Sequence, residues 1–487
     1  MNKAFLYCIL LIASRGVCGI ELQLEQSSPD TEKCADASAP SDERIAACTR
    51  AIKSGALPPE ILAMTLNNRG IAWQNKGAFD RAIADYNAAL RLDPELEEAY
   101  TNRGSVWDHK GDYDRAIADY NEALRLNPQL AQAYTNRGSA WDSKGNYERA
   151  LADLNEAIRI DPQLAQAYTN RGSVSYHRGD YARAIADYNE AIRLNPKLAQ
   201  AYTNRGGAWD SKGDYDRAIA DYNEALRLNP QLAQAYANRG STWYHKGDPD
   251  RAIADQSEAL RLNPRDALAY SNRASARRDK GDYDRAIADY TEALRLNPQL
   301  AQAYNNRGRA WGNQGNYDRA IADYTEALRL DPQDTWAYLS RGATRFAQGR
   351  FESAEGDFSA ALRLNPNDAY SVIWRYFAQS RADHNATAAS ELAANAAKVD
   401  KGKWPALIID LLAGATDAGG VLSAAANSDP KKEREQACVA AFFVGEWYAL
   451  QGRRSDARKS FERAERECPK SFLQYFCAVA ELKRFSE

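Results

Sequence analysis

Asn68, Asn102, Asn136, Asn170, Asn204, Asn238, Asn272 and Asn306 follow one another at 34-residue intervals. A carboxamide carries two N–H donors and an acceptor oxygen, so a column of them can pair with either peptide group of an extended chain. Gln132, Gln166, Gln200 and Gln234 keep the same interval, with Gln302 further on and Thr101, Thr135, Thr169 and Thr203 nearby. The chemistry on offer is neutral hydrogen bonding, which holds a ligand and breaks no bond. The same amides and hydroxyls, beside Trp and Tyr faces, also suit a sugar, and an asparagine that merely caps or solvates needs no ligand. Towards the C-terminal end the pattern turns apolar at Trp336, Leu339, Ala343 and Phe346. These residues form an anchor for a partner's hydrophobic side chain, or else pack on the irregular stretch after Pro366.

Catalysis finds no matching pattern. The sequence contains no Gly-rich phosphate loop, GxSxG, HExxH or CxxC. His109, His177 and His245 lie 68 residues apart. Two repeat units then separate neighbours, several helix layers of about 8–10 Å each, whereas zinc ligands must converge at about 2.0–2.1 Å. The expectation is no catalytic residue, no metal and no cofactor.

What positions these residues is a ruler of prolines. Pro94, Pro128, Pro162, Pro196, Pro230, Pro264, Pro298, Pro332 and Pro366 are 34 residues apart. A fixed period of this length marks a helical repeat whose units bury their apolar faces only by stacking. In residues 97–130, Tyr100, Gly104 and Trp107 share one helical face, and Ala116, Ile117, Tyr120, Ala123 and Leu124 share another. Gly111 suits the left-handed end of the first helix, Asp112 caps the second and Pro128 stops it. Gly104, Ala116 and Ala123 mark a close helix–helix approach.

These positions resemble the tetratricopeptide repeat (TPR), whose pattern of bulky residue, Gly, Tyr, Gly, Tyr, Ala, aromatic, Ala and Pro is met by Tyr100, Gly104, Trp107, Gly111, Tyr113, Ala116, Tyr120, Ala123 and Pro128. The resemblance implies an all-α superhelical solenoid of helix–turn–helix hairpins with N- and C-terminal capping helices, and first helices lining a concave, protein-binding groove. Residues 63–368 would hold nine units. The amide column resembles the asparagine ladder in the TPR superhelix of O-GlcNAc transferase, which implies sequence-tolerant binding of peptide backbone. The Lys and Arg of the co-chaperone carboxylate clamp are replaced by Gln and Asn. One departure is systematic: Arg103, Arg137, Arg171, Arg205, Arg239, Arg273, Arg307 and Arg341 stand where the family usually has Leu, in step with Asp119, Asp153, Asp187, Asp221, Asp255, Asp289, Asp323 and Asp357. A half-buried Arg needs a partner. An Arg–Asp pair within a hairpin or between adjoining hairpins is expected, the alternative being a surface pair of Arg115 with Asp119.

The ends read differently. Lys3, the apolar run 5–13 and Val17–Gly19 have the layout of a signal peptide (1–19) cleaved near Gly19, too short to span a bilayer. Residues 20–62 form a degenerate helical cap, 369–437 an irregular helical segment, 438–471 a further unit and 472–487 a closing helix. Cysteines of the mature chain occur only in these ends, and an oxidising compartment would permit Cys34–Cys48 and Cys438–Cys468 bridges, leaving Cys477 as a packed thiol. With 63 basic and 66 acidic residues interleaved, no basic stripe marks a nucleic-acid binder. The tail resembles envelope TPR adaptors of the NlpI kind, which implies cell-wall hydrolases or a periplasmic protease as partners. The sequence therefore predicts a periplasmic or secreted, non-enzymatic scaffold that binds other proteins in its groove, with a glycan-binding structural protein as the alternative and no transmembrane segment after cleavage.

Overall fold

The computed structural model describes residues 28–470 and 472–486, and the expected signal segment lies outside the described residues. Among the described residues every regular element is an α-helix. They fall into two compact units divided after Asn229.

The first unit opens with helices Pro29–Ala35 and Ser41–Lys53, joined by a Cys34–Cys48 disulfide. Five hairpins follow: Pro59–Asn75 with Phe79–Leu92, Glu97–His109 with Tyr113–Leu126, Ala131–Ser143 with Tyr147–Ile160, Ala165–His177 with Tyr181–Leu194, and Ala199–Ser211 with Tyr215–Leu228. Local chemistry sets their ends. Gly111 takes φ +77° after the first helix, a conformation that costs glycine little. Asp112 then accepts the Arg115 N–H at 3.2 Å and starts the second helix. Ala116, Tyr120 and Ala123 are fully buried. A Cβ at Gly104 would meet Tyr120 Cε1 at 2.7 Å. In the second unit Ala274 occupies the equivalent place with Tyr290 still buried, so this contact yields to a methyl group.

The arginines that replace the usual leucine bind inside each hairpin. Arg103 Nε and Nη2 donate to Asp119 Oδ2 and Oδ1 at 2.8 and 2.6 Å. Its third edge, Nη1, donates to Asn87 of the preceding hairpin at 2.6 Å. The same triads recur at Arg137 with Asp153 and Asn121, Arg171 with Asp187 and Asn155, and Arg205 with Asp221 and Asn189. The hydrogen bonds with Asp119 raise the pKa of Arg103 and keep it charged. Arg115 takes neither role of the alternative: it pairs with Asp112 and lies over the Trp107 ring at 4.5 Å.

The second unit continues with Ala233–His245 and Pro249–Leu262, Ala267–Asp279 and Tyr283–Leu296, Ala301–Asn313 and Tyr317–Leu330, then Thr335–Ala347 and Phe351–Leu364. Here Ser257, Thr291 and Thr325 take the asparagine's part towards Arg273, Arg307 and Arg341. Helices Ala369–Arg381 and Asn385–Ala396 extend the stack past the last regular proline, and Ala406–Leu412 and Ala418–Ala424 are short. The final hairpin, Pro430–Leu450 with Arg454–Glu467, begins before Cys438 because Asp429 caps its start at the Lys431 N–H, 2.9 Å away. Cys438 and Cys468 are bonded, and helix Leu473–Arg484 closes the chain.

A charged cluster sits under that closing helix. Arg381 pairs with Glu481 and approaches Glu446 at 3.5 Å, while Arg484 also pairs with Glu481. Glu446 and Glu481 are fully buried. Burial, with the Glu481 charge adding to it and Arg381 and Arg484 opposing, pushes the Glu446 carboxyl well above the carboxylate range. The folded chain then binds a proton that the unfolded chain has released, so stability falls as pH rises from about 4.5 through the raised value. Glu446→Gln is expected to flatten the decline of Tm between pH 5 and pH 8.5, its advantage over the wild type growing with pH. Parallel melting-versus-pH curves for the two proteins would refute this.

Candidate functional site

Within each unit, successive first helices lie against one another with the second helices behind them. The row of first helices therefore brings its side chains into columns. In the first unit Gln132 Nε2 donates to Asn136 Oδ1 at 2.8 Å, Gln166 to Asn170 at 2.7 Å and Gln200 to Asn204 at 2.7 Å. Neighbouring rungs join laterally: Asn102 donates to Asn67 at 3.1 Å and Asn204 to Ser173 at 3.3 Å. Asn68 lies half-buried in the same register. The Gln–Asn rung is a consequence of i,i+4 spacing, which puts both amides on one helical face.

In the second unit Gln234 donates to Asn238 at 2.6 Å, and Asn272 is exposed and donates to Ser241 at 3.2 Å. Asn306 is nearly buried, accepting from Gln302 at 3.4 Å and from Arg278 at 2.9 Å. The eight asparagines thus lie on the first-helix row in both units.

Other expected lining residues do not reach the surface. Thr135, Thr169 and Thr203 are buried, and each hydroxyl donates to the carbonyl four residues back, at 2.9–3.0 Å. Phe346 is a correction too: it is fully buried and packs edge-on against Trp374, with ring centroids 5.4 Å apart. The helix after Pro366 delivers Trp374 and turns this position into core. Trp336, by contrast, is 65% exposed. The indoles at the far end of the first helices have covered faces, Trp107 by Arg115 and Lys110 at 4.5 and 5.9 Å, and Trp141 by Arg149 and Lys144 at 4.7 and 5.9 Å.

Carboxylates that sequence reasoning passed over also line the row. Asp108 is half-buried, and burial raises its pKa. Asp142 accepts or pairs with His177 Nδ1 at 3.0 Å. Their signal was present in the first-helix pattern, at the fourth residue after Gly104 and after Gly138. His109 has different company, the Ser105 carbonyl at 2.9 Å and the Phe79 ring. Among the described residues no group of three or more His, Cys, Asp or Glu is placed to hold a metal ion, and no helix is long and apolar enough to cross a membrane.

The row is closed in the second unit by the chain's own end. Helix Leu473–Arg484 packs on Thr335–Ala347, with Cys477 Sγ 3.5 Å from the Ala343 carbonyl and Arg484 Nη2 donating to the carbonyls of Phe346 and Ala347 at 2.9 and 2.5 Å. A guanidinium at a helix C-terminus satisfies carbonyls that have no partner within the helix.

A tetratricopeptide-repeat family model matches residues 67–131, 110–165, 143–199, 169–233, 210–267, 271–335 and 312–369, more than half of the chain. No curated protein matches the sequence. Among solved structures, a tetratricopeptide repeat protein from Parabacteroides merdae ATCC 43184 is 21% identical, with a TM-score of 0.43 over 50% of this chain and 98% of its own. MamA is 29% identical, with a TM-score of 0.29 over 34% of this chain and 96% of its own. YrrB, described as a TPR protein with an unusual peptide-binding site, is 23% identical, with a TM-score of 0.30 over 38% of this chain and 95% of its own. Hairpin geometry, the glycine–tyrosine approach and the family match agree: the chain is a member of the tetratricopeptide repeat family.

Proposed function

We propose that this chain is a non-enzymatic scaffold that holds an extended segment of a partner protein along its first-helix row. The observation that carries the reading is the Gln–Asn rung repeated at Asn136, Asn170 and Asn204. With each asparagine oxygen engaged by the glutamine below it, the rung presents N–H donors of asparagine and the carbonyl of glutamine. Those are the complements of a peptide group. First helices packed about 8–10 Å apart match about three residues of extended chain at roughly 3.3 Å each, so one rung serves every third peptide unit whatever its side chain.

Sugar stacking is less well served. The Trp107 and Trp141 faces that would stack on a pyranose already carry arginine and lysine. Export supplies the setting: the layout of residues 1–19 is that of a signal segment, and the paired cysteines suit an oxidising compartment. An intact Met1 on the protein recovered from cells would sink the export reading.

Retention of a random pool of unstructured peptides tests the binding reading, with peptidoglycan fragments as the second arm. Each amide bond to the guest contributes about 1 kcal/mol, so Asn136→Ala/Asn170→Ala/Asn204→Ala is expected to weaken peptide retention about 100-fold. Alanine favours the helix, and melting should hold. Unchanged peptide retention, or loss confined to the glycan arm, would overturn the proposal.

A further inference from the structure

One carboxylate on the row of the first unit lacks the contact that its counterpart makes. Gln74, near the end of helix Pro59–Asn75, accepts the Tyr86 hydroxyl at 3.0 Å and donates to Ser105 on the next first helix at 3.3 Å. One repeat further on, the places of Gln74 and Tyr86 are taken by Asp108 and Tyr120. Aspartate is one methylene shorter than glutamine, and the contact is not made. The Tyr120 hydroxyl is fully buried without a hydrogen-bond partner, and burial, with the Asp108 charge adding to it, raises its pKa. Among the described residues, Asp108 receives no hydrogen bond and no ion pair at its side chain, and the cation-forming group that bears on it is His109. That imidazole already gives Nδ1 to the Ser105 carbonyl at 2.9 Å.

The cations of the surrounding helices are engaged elsewhere. On the helix of Asp108 itself, Arg103 is held by Asp119, and the Lys110 that follows pairs with Asp80. The first helices on either side bring Arg69, held by Asp85, and Arg137, held by Asp153. Asp142, one hairpin on, meets His177 Nδ1 at 3.0 Å, whereas the residue in that register to Asp108 is Ser143. Asp108 is therefore a half-buried negative charge that the chain leaves without a counter-charge, beside a hydroxyl that the chain leaves without a bond. A cation supplied from the row answers both. An ammonium brings three donors and a guanidinium five, and their hydrogen bonds to a carboxylate are short and charge-assisted. The carboxylate so engaged is also drawn into reach of the hydroxyl, which then has an acceptor, as Tyr86 has in Gln74.

We propose that Asp108 and the Tyr120 hydroxyl form a cation subsite on the row, which receives a positive charge of the bound peptide and gives a sequence-tolerant surface one preferred position. This rests on the reading of the row as a peptide-binding surface. The charge comes from a Lys or Arg side chain of the guest or from its N-terminal ammonium, and the experiment separates the two.

Three random dodecapeptide pools, all amidated at the C-terminus, serve as probes for the full chain. One is N-acetylated and contains Lys and Arg, one is N-acetylated and lacks both, and one lacks both but keeps a free N-terminus. The basic pool is expected to be retained about tenfold better than the acetylated pool without bases, and added salt should weaken that preference. Asp108→Gln, which restores the side chain that Tyr86 meets at Gln74, should erase it. Asp108→Asn removes the charge at constant size and guards against a change of fit in the glutamine variant, with melting of both as the control. If the pool with free N-termini is retained as well as the basic pool, the site takes an α-ammonium; if it behaves as the acetylated pool without bases, the site takes a side-chain cation. A preference that survives both substitutions belongs to the charge of the chain as a whole and overturns the subsite. Equal retention of all three pools by the wild type also overturns it, and in either case the peptide-binding row stands. Failure of the wild type to retain any pool removes both.

Discussion

Arg137→Leu is expected to lower the stability of residues 131–160 by about 3–5 kcal/mol, and adding Asp153→Leu to restore most of it. The asymmetry follows from what each change leaves behind. The Arg137 and Asp153 side chains are 19% and 10% exposed, so the single change strands a carboxylate where water reaches it poorly and nothing else neutralises it. The double change removes both charges and so leaves no unpaired buried carboxylate in the hairpin. Asn121, the third member, faces solvent in its contact with Arg137 and turns to water in either case. Stacked repeats communicate mainly with nearest neighbours, so a global melt would blur the result. Amide exchange resolved by hairpin is the measurement, with protection falling across 131–160 in the single variant and returning in the double. Should the double variant lose as much as the single, the pair would contribute to stability as a pair, and the arginine would not be a replaceable substitute for leucine.

That pair also shows how far the sequence could be read. The match in step between arginine and aspartate put them together, and the ruler of prolines placed the repeats' helix ends to within about two residues, because each end is set locally by Gly111, Asp112 and their counterparts. Asn87 escaped notice although it keeps the same 34-residue beat. Periodicity says which face a residue occupies, while the third edge of Arg103 depends on how one hairpin lies on the previous one. The threonines were misread for a different reason. Thr135 has the polarity of a lining residue, but its hydroxyl is satisfied by the Ala131 carbonyl and can be buried without cost to hydrogen bonding.

The amide columns were legible because helical spacing alone generates them. What stops the row was not. Helix Leu473–Arg484 comes back across more than a hundred residues to lie on Thr335–Ala347, and no spacing rule links those segments. Phe346 belonged to core or groove with equal right until Trp374 arrived beside it.

Opening the Cys438–Cys468 bridge should produce the other large effect, a loss of about 3–4 kcal/mol confined to the C-terminal part of the second unit. The two cysteines are 30 residues apart in sequence, and chain-entropy reasoning assigns a loop of that length a stabilisation of this size, through restriction of the unfolded chain. Both are buried, so Cys438→Ala/Cys468→Ala avoids leaving polar atoms in the core. The consequence reaches beyond one hairpin. The closing helix leans on this pair of helices, with Phe485 against Phe461 at 5.8 Å and Glu481 sharing Arg381 with Glu446. A last hairpin that opens more often takes with it the helix that covers Thr335–Ala347. Exchange protection should therefore fall together across 430–484 and at 335–347, while residues 233–262 keep theirs. Loss restricted to 430–467 would mean that the closing helix holds its place through Arg484, Cys477 and Phe476 alone. A change below about 1 kcal/mol would mean that aromatic packing around Trp374, Phe442 and Phe443 closes the array without the bridge, and the case for an oxidising compartment would then rest on the N-terminal segment.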